Sequence, residues 1–121
     1  MVFASVELPI PPSANHLWIV ARGRLIQSRQ YKSWLSVAIP LCRVGLPYFA
    51  NPVEIAVMIQ GGKGWRSNRD LDNCLKPIID AIKHASRIKD DSCHYVTGAS
   101  VRYMPPVRGV LATATVSITS S

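Results

Sequence analysis

The chain is 121 residues long, with 14 Lys and Arg against 7 Asp and Glu, a formal net charge of +7 and an isoelectric point near 9.8. Its 48% hydrophobic content excludes a disordered chain and suffices for one cored domain spanning residues 1–121. Three widely spaced cysteines, Cys42, Cys74 and Cys93, form no CxxC pair and exclude a disulfide framework, which predicts a reducing compartment. No segment approaches the roughly 20 apolar residues of a membrane span. The opening residues carry Glu7 and three prolines rather than the basic start of a secretory leader. A cytoplasmic protein without a membrane partner is expected.

The first residues alternate Val2, Ala4, Val6 and Leu8 with Phe3, Ser5 and Glu7, which predicts a strand. Pro9, Pro11 and Pro12 then impose a rigid, extended exit. Two short apolar runs, 17–21 and 25–27, flank Arg22-Gly23-Arg24, a tight turn carrying two cations. Ser28 is placed to cap a helix over 29–44, with Tyr31, Trp34, Leu35 and Ala38 on one face; Pro40 is expected to end or kink it.

Val53, Ile55, Val57 and Ile59 mark a second strand over 53–60. A glycine- and cation-rich loop follows over 61–69, either a plain surface loop or, as its Trp65, Lys63, Arg66 and Arg69 suggest, a flap touching nucleic acid by stacking and phosphate contacts. Leu71, Leu75, Ile78, Ile82 and Ala85 recur at helical spacing and predict a second helix over 71–86. Pro77 implies that this helix starts late or bends. Strand patterns return over 95–104 and 110–119, joined by residues 105–109 as an expected hairpin. The order predicts an α+β fold, with two main helices packed on a mixed, mostly antiparallel sheet.

Charge is distributed very unevenly along this chain. Asp70, Asp72, Asp80, Asp90 and Asp91 fall within 22 residues, whereas the rest of the chain holds ten cations against Glu7 and Glu54. Carboxylates packed this closely repel, and a divalent cation is one way to offset them, since magnesium takes one or two carboxylates and leaves positions for water or phosphate. The basic remainder suits a polyanion. Together they point to metal-assisted hydrolysis of a nucleic-acid backbone. Asp70 and Asp72 flank Leu71, so both can face one ion while Leu71 faces the core. Lys76 shares a helix face with Asp72 and Asp80, which lie too far apart (about 12 Å at the helical rise) to share an ion easily.

Each feature also has an ordinary reading. Asp70 as a helix cap and Asp72 as a first-turn acid are common. Asp80 reads better as a partner for Lys76, Lys83 or His84 than as a ligand, and in extended chain only one of Asp90 and Asp91 faces a given site. Cys74, His84, Cys93 and His94 match no common zinc spacing.

The run Arg69-Asp70-Leu71-Asp72-Asn73, Lys76, Asp80-Ala81-Ile82, then Asp90-Asp91, resembles the RusA family of Holliday-junction endodeoxyribonucleases, with its D-x-D-N-x-x-K-x-x-x-D-A pattern and later aspartate pair. Pro9-Ile10-Pro11-Pro12-Ser13-Ala14-Asn15 resembles the family's proline-rich opening. The resemblance implies a homodimeric, magnesium-dependent nuclease, with manganese as a substitute, that cuts two strands of a four-way DNA junction and is often encoded by phages. It implies Asp70, Asp72 and Asp91 as metal-binding catalytic carboxylates and Lys76 as the catalytic lysine. The residue reading adds Lys63, Arg66, Arg69, Lys76, Arg22 and Arg24 as DNA contacts. A branched-DNA binder that does not cut, and a nuclease for RNA or flaps, are the alternatives.

Overall fold

The computed structural model describes residues 1–66 and 68–121; Ser67, inside the glycine-rich loop, lies outside the described residues. The elements are β1 (Val2–Pro9), a short 3₁₀ turn (Ala14–His16), β2 (Trp18–Ala21), β3 (Arg24–Gln27), α1 (Arg29–Gly45), β4 (Val53–Gln60), a second 3₁₀ turn (Leu71–Cys74), α2 (Leu75–His84), β5 (Val96–Met104) and β6 (Thr113–Ser120). The fold is α+β: a four-stranded mixed sheet in the order β1-β6-β4-β5, two helices packed on it, and a separate β2–β3 ribbon.

β4 organises the sheet because its alternation is complete. Val53, Ile55, Val57 and Ile59 are buried, while Glu54, Ala56 and Met58 face outward. It pairs antiparallel with β6, Val53 opposite Ser120 and Gln60 opposite Thr113, which brings Ala114, Val116 and Ile118 onto the same buried face. A one-residue slip would send all these side chains to solvent, so burial fixes the register. Onto this face α1 packs Tyr31, Trp34, Leu35, Ala38 and Cys42, and α2 packs Ile78, Ala81 and Ile82. Each large aliphatic side chain buried there contributes about 1.5–3 kcal/mol.

Strands β5 and β6 do not form the expected hairpin. β5 lies parallel to β4, beyond a bulge at Val53 and Glu54, and β6 lies on the other side of β4. The apolar alternation of β4 is best satisfied with a neighbour on both edges, so the 105–112 connection crosses over its end. There Gly61 N donates to Met104 O, Lys63 N to Val110 O and Ala112 N to Lys63 O. Gly62 permits this crossing, because a β-carbon would overlap the Val110 carbonyl.

Proline acts differently in the two helices. α1 continues through Pro40 to Gly45, against expectation; Pro40 is exposed, so the carbonyl it leaves unpaired faces water while the buried stripe continues on the opposite side. α2 begins at Leu75, later than the apolar spacing predicts, with Pro77 in its first turn, where a missing N–H costs nothing. Residues 71–74 form the tighter 3₁₀ turn instead. Among the described residues no helix is long and apolar enough to cross a membrane.

The two faces of β4 predict opposite responses to truncation. Ile59→Ala is expected to lose about 2–5 kcal/mol in urea unfolding, whereas Met58→Ala, one residue away on the open face, stays within about 0.5 kcal/mol. A comparable loss at Met58 would mean that the open face is covered.

Candidate functional site

All five clustered aspartates sit on the β4–α2–β5 crossover, whose loop leaves the end of β4 and whose helix returns to the start of β5. Asp70 occupies the cap position of the second 3₁₀ turn in extended conformation, but its side chain makes no capping hydrogen bond. Leu71 packs against the core, Cys74 is buried, and Asp72 between them is exposed. The alternation turns both carboxylates outward while the apolar residues hold the turn down. Neither aspartate forms an ion pair among the described residues. Asp70 opens on a polar cleft of about 530 Å³, lined also by Ser13, Asn15, His16, Gln30, Arg66, Asn68 and Asn73.

The other three aspartates are organised by lysines. Lys76, Asp80 and Lys83 share one face of α2 at i, i+4 and i+7, and the turn after the helix folds back along that face. Lys76 Nζ donates to Asp80 Oδ1 at 2.9 Å and lies 3.6 Å from Asp91 Oδ2. Lys83 Nζ lies 3.2 Å from Asp90 Oδ1 and 3.7 Å from Asp91 Oδ1. The charges therefore alternate as Asp80, Lys76, Asp91, Lys83, Asp90, and Asp91 is shared by both lysines. Asp90 and Asp91 do not face opposite ways as extended chain predicts, because they sit in a turn and both reach Lys83.

Asp80 is only 9% exposed, and its second oxygen accepts from the Tyr31 hydroxyl at 2.9 Å. A buried carboxylate is tolerable when its oxygens are hydrogen-bonded and a cation adjoins it, and here both conditions hold. Burial first and Asp80 second push the Tyr31 phenol well above its ordinary range. The Asp80 hydrogen bond holds Lys76 above the ordinary lysine value, against partial burial, with Asp91 adding to the rise. Lys83 is raised chiefly by its hydrogen bond to Asp90. Asp90 is lowered by a backbone hydrogen bond from Asp91 and then by Lys83.

The cations expected to meet DNA divide into two sets. Arg22 and Arg24 at the β2–β3 turn, and Lys63 and Arg66 in the glycine-rich loop, are exposed. Arg69 is committed to structure: its guanidinium lies 4.9 Å over the Trp65 ring and donates to Pro11 O and, at 3.6 Å, to Cys74 Sγ. Trp65 in turn packs on Tyr103, with centroids 5.8 Å apart, so the loop is pinned to the proline arm and to β5 rather than presenting a free stacking flap. Lys76 is half exposed but ion-paired.

Sequence reasoning missed Tyr31 as a polar partner, because its spacing marks only the apolar stripe of α1; its one signal is that a buried phenol needs an acceptor. The cleft residues His16 and Gln30 carried no signal of their own, and Asn73 entered only through the D-x-D-N run. Burial raises the thiols of Cys74 and, to about 11, Cys42, which suits inert core cysteines.

Asp70 and Asp72 offer hard oxygen donors that form no ion pair among the described residues, which suits a magnesium ion held by one or two carboxylates. Asp91 is engaged by both lysines, and among the described residues no three His, Cys, Asp or Glu side chains converge on one point. No protein-family model and no curated protein matches the chain. The RusA resemblance therefore rests on the quoted residues alone.

The lysine network has a testable pH signature in metal-free buffer. A lysine whose folded value is raised contributes stability that is full below the ordinary value of 10.5 and is lost as pH rises through the folded value. Thermal melts are expected to fall above about pH 10, through these lysines and through Tyr31, whose ordinary value of 10.0 is also raised in the fold, and Lys76→Met is expected to flatten the lysine share of that fall. An unchanged alkaline slope in the variant would remove Lys76 from the network.

Proposed function

We propose that this protein is a divalent-metal-dependent endonuclease that hydrolyses DNA at branched structures, with the four-way junction as its substrate. The observation that carries the reading is the pair Asp70 and Asp72, exposed and without ion-pair partners among the described residues, immediately ahead of a lysine held in position by Asp80 and Asp91. In a chain of charge +7, an unneutralised Asp70 at a polar cleft, with Asp72 two residues on, weakens phosphate binding unless a cation offsets the charge.

In this reading Asp70 and Asp72 would hold magnesium, or manganese in its place, and the resemblance adds Asp91, which would have to release a lysine. A metal bound there would supply an activated water and neutralise charge on the phosphate. Lys76, aimed by Asp80, would place its ammonium against a phosphate oxygen, where developing charge is largest. Lys63, Arg66, Arg22 and Arg24 supply sequence-independent phosphate contacts. The four-way substrate and the homodimer come from the RusA resemblance; a two-fold pair of sites suits paired cuts in a symmetric junction.

A second reading is a protein that binds branched DNA without cutting it. The lysines already occupying Asp91 favour it, since the third carboxylate is not free for metal. A nuclease for RNA or flaps would share the chemistry but not the substrate, and competition among these substrates separates the two.

Synthetic four-way junction, with linear duplex of the same sequence as control, is expected to be nicked in pairs in Mg²⁺ or Mn²⁺ and left intact in EDTA. Asp70→Asn is expected to lower the cleavage rate at least about 100-fold, in line with loss of a metal-activated nucleophile, while retaining junction binding. Tight binding with no cleavage by the unmodified protein selects the second reading, and full activity of Asp70→Asn removes this site.

A further inference from the structure

The β2–β3 hairpin is apolar on both faces, and neither face lies in the core. Val20 and Leu25 pair across one face at 76% and 66% exposure, and Ile19 and Ile26 pair across the other at 48% and 37%. A ribbon this short is marginal by itself, but its base is fixed. Ser28 N donates to Leu17 O at 2.8 Å, Ser28 Oγ donates to His16 O at 2.7 Å, and Trp18 meets Tyr31 edge-on at 6.4 Å. Four residues per strand carry the free end about 13 Å outward.

The tip is cationic. Arg22 sits at φ 53°, a left-handed turn position where glycine or asparagine fits more easily, and Arg24 stands just past Gly23. Residues 8–53 contain five Lys and Arg and no Asp or Glu. His16 and Gln30, just outside the two ends of the hairpin, line the same cleft as Asp70, so the hairpin rises from the rim of the candidate site.

An occupant must offer apolar surface flanked by negative charge. The faces of unstacked base pairs between phosphate strands offer both. A self-docked pair of hairpins would bring four arginines together with no acid on either hairpin. We propose that the β2–β3 hairpin is a wedge for branched DNA: Val20 and Leu25 pack on base faces exposed at the branch point, while Arg22 and Arg24 take phosphates on the flanking strands. This rests on the branched-DNA reading above and adds to it the element that distinguishes a branch from a duplex.

The test uses a four-way junction with 2-aminopurine at the branch point, titrated with the full chain in EDTA so that nothing is cut. Binding is expected to raise the fluorescence at least about threefold as the base unstacks. Val20→Ser with Leu25→Ser is expected to abolish that rise and to reduce the preference for junction over duplex about tenfold, the scale of one lost base stack. Arg22→Gln with Arg24→Gln is expected to leave unstacking in place but lower the slope of log affinity against log salt by about 2, at roughly 0.9 per phosphate. If the serine variant opens the junction like the parent protein, the wedge is wrong. A serine variant that is monomeric where the parent is dimeric, with opening intact, assigns the hairpin to a second copy and also overturns the proposal. If the parent protein cuts junctions and the serine variant cuts them equally well, the wedge fails and the nuclease reading stands. If the parent neither prefers nor cuts branched DNA, both fail.

Discussion

Asp80 is the charge on which the arrangement of the other acids depends. It is buried beneath α2, it ties that helix to α1 through the Tyr31 hydroxyl, and it fixes Lys76. Removing either partner would leave a buried carboxylate underpaired, a change that costs more than an exposed ion pair is worth. Because Lys76 is held from one side, its ammonium is presented to Asp91 on the other, and Asp91 in turn draws the turn after α2 back along the helix.

The five clustered aspartates therefore solve their mutual repulsion in two ways. Asp80, Asp90 and Asp91 interleave with Lys76 and Lys83, whereas Asp70 and Asp72 form no ion pair among the described residues and sit on a turn that their apolar neighbours pin to the core. Only the second pair has oxygens left open to an external cation. Asp91 joins the two lysines, 3.6 Å from Lys76 and 3.7 Å from Lys83.

Much of this was legible in the sequence where the signal is local. The alternation of 53–60, the Ser28 cap and the Arg22-Gly23 turn each depend on a few adjacent residues, and each forms as the residue pattern predicts. The pairing of Lys76 with Asp80 was readable from i, i+4 spacing. Partnerships across long separations were not: Tyr31 with Asp80, Arg69 with Pro11, and β4 between β5 and β6 are set by packing of whole elements. Arg69 illustrates the difference. Its place in a basic loop suggests a phosphate contact, yet a Trp65 ring and a proline-arm carbonyl compete for the same guanidinium and hold it.

The most direct test of this division of charge is a Mn²⁺ titration followed by paramagnetic broadening of backbone amide signals. Broadening strongest over Asp70 to Asn73, and weaker over Lys83 to Asp91, is the predicted result at low metal. Broadening strongest over Lys83 to Asp91, or none at millimolar metal, would contradict the account and leave Asp70 and Asp72 as surface charges of an ordinary turn.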